Sequence, residues 1–558
     1  MTTRRDFLKA TGCGLAMGVA VTAAPALAQA PAKKRPNILF IMTDDHAAHA
    51  ITAYGSRINK TPNLDRLATE GALFQDVFVT NSICAPSRAC ILTGMYSCQN
   101  GVPSFNDLSP KIKTVGGTLR ESGYYTAMLG KWHMGGTHTM RDSDWDRWAI
   151  YQWQGVYFDP FFLTNAAKCP RGFEGNLDAN KSRISFPGEY ATDNLTRVTK
   201  SVIDEAVEQD KPFCVFMLHK APHRNWLPSP KYKAAFRAKT LADIPCPDTI
   251  FDDFKGRASP IKRTAMTLEH HMRIEEDLKL TEYFSEGGQF PGVDPAQYKS
   301  GESRGRWPKE LRDEQGLSAD ERERRRRERI KLSYLRYMQD YLACVQSVDD
   351  RVGEMLDYLK AKGLDENTIV IYTADQGFFL GDHGLYDKRF MMEETLKMPF
   401  LVRWPAAVKP GTVNTDLITN VDFAAFFADA AGAPQPANWQ GRSFLPNITT
   451  GTPKDWRKSF YYRYYIEGGE HNTPAHYGVR TPRYKLIRYY KVDEWELFDL
   501  KKDPEELENV YGKREYAKVT ETLKNELFRL KNALGDSDQY YDCGEYDTRH
   551  RIDTSLFE

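Results

Sequence analysis

Three continuous apolar runs stand out along the chain: NILFIM (37–42), FCVFML (213–218) and TIVIYT (368–373). Unbroken apolar runs of this length suit strands covered on both faces. Helical periodicity lies between them, in TRVTKSVIDEAVEQ (196–209) and YLACVQSVDDRVGEMLDYLK (341–360). Strands alternating with helices predict an α/β fold with a large mixed, mostly parallel sheet flanked by helices. Around Pro434–Asn447 the composition shifts toward Pro, Gly, Asn and Thr. Beyond it SFYYRYY, HYGVRTPRYKLIRYY and EWELFDL alternate like antiparallel strands, and a helix follows near Tyr516–Ala533. These patterns predict a large α/β domain over 29–440 and a smaller C-terminal α+β domain over 441–558. Residues 228–335 are polar and read as an insertion. Within it ERERRRRERIK (321–331) reads as a solvated helix face with i,i+4 pairs, in preference to a polyanion patch.

Each apolar run ends in polar chemistry: Asp44-Asp45, then His219, then Asp375-Gln376. Open α/β sheets bind ligands outside the carboxyl ends of their strands, so three distant segments converge on one edge. Adjacent carboxylates repel. Asp44-Asp45 alone reads as a capped loop; with Asp375 at a second strand end, the oxygen-rich set reads as a site for Ca²⁺ or Mg²⁺.

Length and charge narrow the setting. At 558 residues the chain exceeds one typical core, and its net charge of +1 gives no support for nucleic-acid binding. At the start, Arg4-Arg5 precede a modest apolar stretch that ends in Ala26-Leu27-Ala28. This reads as a twin-arginine signal over 1–28. It predicts passage through the twin-arginine translocase to the periplasm or outside, with no stable membrane anchor. Removing Cys13 with the leader leaves eight cysteines, whose spacing does not reveal a pairing.

One short segment does not follow from packing. CAPSRACILTG (84–94) places Cys84 at a predicted helix start, Pro86 in the first turn and Arg88 one turn on. Cys84 has two readings of equal weight on spacing alone: a buried small hydrophobe, or a reactive group at the positive end of a helix.

C-x-P-x-R followed by L-T-G resembles the maturation signature of type I sulfatases. GYYTAMLGKWHMGG (123–136) resembles that family's second signature, and the similarity runs from PNILFIMTDDH to ELFDLKKDPEELEN. The resemblance implies that Cys84 is oxidised to formylglycine before folding is complete, with a formylglycine-generating enzyme as partner. It implies one Ca²⁺ held by Asp44, Asp45, Asp375, Gln376 and residue 84; Gln376 stands where most members carry Asn. By the same resemblance Arg88 positions the nucleophile, and Lys131 binds sulfate and the hydrated aldehyde. His133 acts as the base, while His219 and Lys388 hold the sulfate group and assist the leaving oxygen. The implied reaction is two-step. One hydroxyl of the hydrated aldehyde attacks sulfur, the alcohol departs, and sulfate leaves as the aldehyde reforms.

The flanking stretches APHRNWLP (221–228) and FFLGDHGLYDKRFMMEE (378–394) look more like carbohydrate sulfatases than aryl or steroid sulfatases. His223, Arg224, Trp226, His383 and Arg389 are candidate sugar contacts, with His476 and Arg480 reaching in from the small domain. Trp226 has two readings of similar weight, stacking on a sugar or packing its loop. Three rivals differ in class: a phosphonate or phosphate ester hydrolase on the same fold, a non-catalytic glycan-binding protein, and a two-zinc phosphatase. The last is disfavoured by mostly oxygen ligands.

Overall fold

The structure is a computed structural model and describes residues 35–289, 295–296, 316–469 and 471–538. The leader 1–28, with Arg4, Arg5 and Cys13, lies outside the described residues, as do Cys543 and part of the polar stretch 228–335. All three apolar runs are strands, Asn37–Thr43, Phe213–Leu218 and Thr368–Ala374, and every residue in them is buried. Asn37–Thr43 pairs in parallel with the other two, one on each side. Tyr125–Lys131 adds in parallel beyond Phe213–Leu218, and Arg147–Tyr151 beyond that. On the opposite flank Phe400–Arg403 runs antiparallel to Thr368–Ala374, and short strands complete an 11-stranded mixed sheet.

The unbroken apolar character has a direct cause. Leu39 and Ile41 enter the core on one face of the sheet, while Ile38, Phe40 and Met42 enter the core on the other. Helix Ala191–Glu208 and helix Ala319–Ala361 cover the first face. Ser318 caps the second of these by accepting from the Glu321 N–H. Its outer turns carry the i,i+4 pairs Arg324–Glu328 and Arg327–Glu323. From Ile330 onward it buries Tyr334, Tyr337, Tyr341 and Val345 against the sheet. One continuous helix therefore crosses position 335, where the sequence pattern ended the insertion.

The C-terminal strands Phe460–Tyr464, His476–Arg480, Tyr484–Tyr489 and Glu494–Asp499 form a separate antiparallel sheet in that order. Helix Ala517–Ala533 packs on it through Leu523 and Leu527, against Tyr461, Tyr477 and Leu497. No helix among the described residues is long and apolar enough to cross a membrane.

Candidate active site

Strand register gathers the site. Thr43 lies opposite Ala374, Met42 opposite Leu218, and Gly130 opposite Leu218. Asp44-Asp45, Asp375-Gln376 and Lys131 thus emerge side by side at the carboxyl edge. Asp45 takes a left-handed backbone (φ 67°), and its N–H donates to Asp375 Oδ1 at 3.2 Å. The strain of that conformation turns two consecutive carboxylates toward one point.

Helix Cys84–Thr93 is buried along its whole length and stops at Gly94, whose φ of 64° suits a residue without Cβ. Cys84 is its first residue and is 1% exposed. Arg88 is committed to the acidic cluster: Nε donates to Asp375 Oδ2 at 2.9 Å, one terminal nitrogen lies 2.8 Å from the same oxygen as an ion pair, and the other donates to the Lys131 carbonyl at 2.7 Å. Burial pushes the Cys84 thiol up to about 11, against the pull of Lys388. A helix start and a nearby arginine therefore do not make this thiol a poised thiolate, because Arg88 is spent on Asp375 and the thiol is buried.

Oxygen donors of Asp44, Asp45 and Asp375 lie within 4.8 Å of one another, and all three side chains are buried. Burial pushes the Asp45 carboxyl up to about 7; Lys388 opposes this, and Asp375 and Asp387 add to it. Lys131 Nζ contacts Asp44 Oδ2, and Lys388 Nζ contacts Asp45 Oδ1. Gln376 turns its amide nitrogen to Asp45 Oδ1, which leaves Gln376 Oε1 buried without a hydrogen-bond partner; Asp44 Oδ1 is likewise unpartnered. Orphaned oxygens beside crowded carboxylates fit a hard dication such as Ca²⁺. The longer arm of Gln376 still brings its side-chain amide to the cluster, and a flip of that amide would present its oxygen.

His133 sits at φ 59°, and the Gln154 side-chain amide lies 3.2 Å from its Nε2. Burial, then Lys131 and Arg88, hold its pKa well below the usual range, so the ring is a neutral base. Gln154 also accepts from Lys131 Nζ. It was missed in the sequence because RWAIY, the strand that delivers it to this edge, is too short to stand out. Lys220 was missed as well: it is 6% exposed, lies 5.0 Å over the Tyr157 ring, and burial lowers it to about 8.

A cleft of about 480 Å³ opens over these groups, and its walls include Cys84, Gln154, Lys220, His223, Lys388 and Arg389. The structure does not bring His219 to it. His219 leaves its strand on the face of Met217, is 1% exposed, and is lowered to about 3 by burial with Arg351 adding. The histidine that arrives is His223, whose Nε2 lies 3.7 Å from Asp45 Oδ2.

Arg224 and Arg389 line the cleft, Arg224 gripping Asp277 through Nε at 2.9 Å. Trp226 is fully buried, its ring 4.7 Å from that of Tyr337, and so anchors its loop. His383 is buried between Asp252, at 2.7 Å, and Glu394, at 3.8 Å. His476 accepts from the Met391 N–H at 3.1 Å through Nε2, and its Nδ1 meets the Pro474 carbonyl at 2.8 Å. Arg480 pairs with Glu393 at 3.1 Å and faces a different cavity, of about 800 Å³, shared with His49 and Asp382. Trp226, His383, His476 and Arg480 are thus structural or remote.

A buried oxygen cluster beside a cationic, histidine-bearing cleft at a sheet edge defines a hydrolase of anionic esters. The chain belongs to the sulfatase family: the Sulfatase family model matches residues 36–433, and that of N-sulphoglucosamine sulphohydrolase, C-terminal, matches residues 381–533. It is 38% identical over 519 residues to an N-acetylglucosamine-6-O-sulfatase of Bacteroides thetaiotaomicron, covering 90% of this chain and 88% of the relative. Among solved structures, one in complex with its substrate D-glucosamine-2-N,6-O-disulfate superposes with a TM-score of 0.77 at 38% identity, covering 91% of this chain and all of that one. A phosphonate monoester hydrolase of Agrobacterium radiobacter shares the fold at a TM-score of 0.59 and 20% identity, over 90% of this chain and 96% of that one. The protein is a sulfuric ester hydrolase.

Proposed function

We propose that this enzyme is an exported carbohydrate sulfatase that removes the 6-O-sulfate of glucosamine-type sugars, with formylglycine at position 84 and one bound Ca²⁺. The observation that carries this reading is the convergence of Cys84, the Asp44–Asp45–Asp375 cluster and a cationic cleft, in a chain 38% identical to an N-acetylglucosamine-6-O-sulfatase. The twin-arginine leader and translocase, the formylglycine-generating enzyme and a periplasmic or secreted destination belong to the same proposal. A chain exported after folding is matured before it folds.

Asp44, Asp45, Asp375 and the carbonyl oxygen of Gln376 would hold Ca²⁺, which supplies positive charge against the sulfuryl oxygens. Hydrated formylglycine supplies an oxygen nucleophile and, through its second hydroxyl, a way to expel sulfate as the aldehyde reforms. Arg88 holds Asp375 and the Lys131 carbonyl in register. Lys131 and Lys388 offset charge on the bound sulfate. His133, held neutral, takes the proton from the hydroxyl that remains on residue 84. Gln154 fixes the orientation of that imidazole. Lys388, which Asp45 keeps charged, hands a proton to the departing sugar oxygen, and His223, held neutral by burial and Lys131, stands beside it in place of His219.

The test is sulfate release from N-acetylglucosamine-6-sulfate, a matched phosphate ester and an aryl sulfate, together with the mass of the residue-84 peptide. A preference for aryl sulfate or phosphate would overturn the substrate; an intact thiol in fully active enzyme would overturn the nucleophile.

A further inference from the structure

Among the described residues nine large hydrophobic side chains are exposed, and five of them are Phe105, Trp153, Val156, Phe158 and Leu227. Scattered exposed apolar residues need no explanation, whereas a cluster marks a binding surface. Phe105, Val156, Phe158 and Leu227 line the same cleft as Cys84, His223 and Lys388. Trp153 is 71% exposed and directly precedes Gln154, whose side chain reaches Lys131 and His133.

Each exposed residue is presented by a buried neighbour. Between Val156 and Phe158, Tyr157 is buried and its hydroxyl donates to the His223 carbonyl at 2.7 Å. Beside Leu227, Trp226 is locked under Tyr337. The Phe105 ring lies 5.6 Å from the His133 ring yet stays 39% exposed. The cleft therefore has two chemistries at two depths: ammonium groups and the oxygen cluster at its floor, apolar carbon at its rim. A sulfate ester satisfies the floor. Nothing in a lone sulfate calls for the rim.

We propose that this rim is a second sugar subsite, which receives the C–H face of a neutral pyranose joined to the sulfated sugar. The inference rests on the carbohydrate reading above and adds that the preferred substrate is an oligosaccharide. Aromatic and aliphatic surface takes up the apolar face of a pyranose. The guanidinium groups that also line the cleft, of Arg224, Arg273 and Arg389, are already paired with Asp277, Glu276 and Asp387, so a uronate carboxylate set against the rim would lose solvation and compete with those acids for its partner. Continuity with the sulfate floor fixes where the second ring lies.

The experiment uses matured, calcium-loaded enzyme and reads kcat/KM for sulfate release from three probes. They are N-acetylglucosamine-6-sulfate, the same sugar linked through C1 to a neutral hexose, and the same sugar linked through C1 to a uronic acid. The expected ratio of neutral disaccharide to monosaccharide is about ten, the order that one well-buried apolar contact supplies. In Trp153→Ala and in Phe158→Ala that ratio falls toward one, mainly through KM, with melting temperature as the check on folding. A ratio near one in the unaltered enzyme, a ratio that persists in both variants, or a preference for the uronate-linked probe would overturn the subsite. Release from no sugar at all, with aryl sulfate still hydrolysed, would overturn the carbohydrate reading and the subsite together.

Discussion

Two buried charge clusters in this protein look alike in sequence and behave oppositely in structure. At the strand edge, Asp44, Asp45 and Asp375 crowd together with Asp44 Oδ1 and Gln376 Oε1 left unpartnered. Around the small sheet, Arg257, Glu496, Lys485, Glu506 and Arg480 are buried, Glu393 is nearly so, and all are paired. Arg257 meets Glu496 at 2.7 Å, Lys485 meets Glu506 at 2.8 Å and Glu393 at 2.9 Å, and Arg480 meets Glu393 at 3.1 Å. In the first cluster three carboxylates converge within 4.8 Å on one point; in the second each carboxylate faces its own cation, although Glu506 Oε1 also lacks a hydrogen bond. Burial and charge therefore do not mark the active site. Convergence of several carboxylate oxygens on one point does, because like charges repel unless a cation holds them.

The largest expected effect lies in the first cluster. Cys84→Ser, expressed in a host that oxidises only cysteine, loses more than about 10³-fold in kcat, the order reported by losing a nucleophile. Full sulfate release by that variant would remove Cys84 from its role. In the second cluster Lys485→Met leaves Glu506 and Glu393 buried without their ammonium. It should cost about 3–5 kcal/mol of stability, while the molecules that remain folded keep their kcat. Denaturant unfolding and titrated active sites separate the two, and a kcat deficit per active site would put Lys485 in the chemistry after all.

Metal removal sharpens the same contrast. A chelator should abolish turnover and lower the melting temperature, since a ligand that binds only the folded state stabilises it. In the metal-free protein Asp45→Asn should then melt higher than the unaltered chain, because it removes one of three crowded carboxylates. A lower melting temperature for that variant would mean that Lys388 and Lys131 already satisfy the cluster.

The smallest effect is a pH dependence away from the site. Burial acts to lower the His383 pKa, but Asp252 and Glu394 outweigh it and raise the pKa from an ordinary 6.5 to about 10. A raised pKa means that the imidazolium stabilises the fold fully below about pH 6.5, and that this contribution is lost as pH rises through about 10. Stability of the unaltered protein should fall across that window, and His383→Gln should flatten the fall. Parallel curves for the two proteins would mean that His383 titrates normally.

The sheet and the acidic edge were legible because continuous apolar runs mark central strands, and chemistry collects where such strands end. His219 and Trp226 show where that logic stops. A residue directly after a strand still obeys the two-residue alternation, and for His219 this places the ring under the sheet with Met217. The site is served instead by His223, beyond a turn that the strand pattern does not describe. Trp226 satisfied the composition of a sugar site, yet its size made it the anchor, and the smaller Leu227 beside it is the one left exposed. His476 and Arg480 were misjudged for the reason given by the two clusters: the partners that neutralise them, the Met391 N–H and Glu393, are distant in sequence.

The depth of Cys84 has a consequence in time. At 1% exposure, in the first turn of a helix buried along its whole length, the residue meets the cleft but is out of reach of a second protein once the sheet edge closes. Whatever chemistry it carries at that moment is preserved for the life of the molecule. Under the maturation proposed above, oxidation and folding run as competing rates, and the active fraction is the oxidation rate divided by the sum of the two, set once per chain. Slowing the folding of the strand edge would raise specific activity without touching any residue of the cleft, and speeding it would produce correctly folded protein that never turns over.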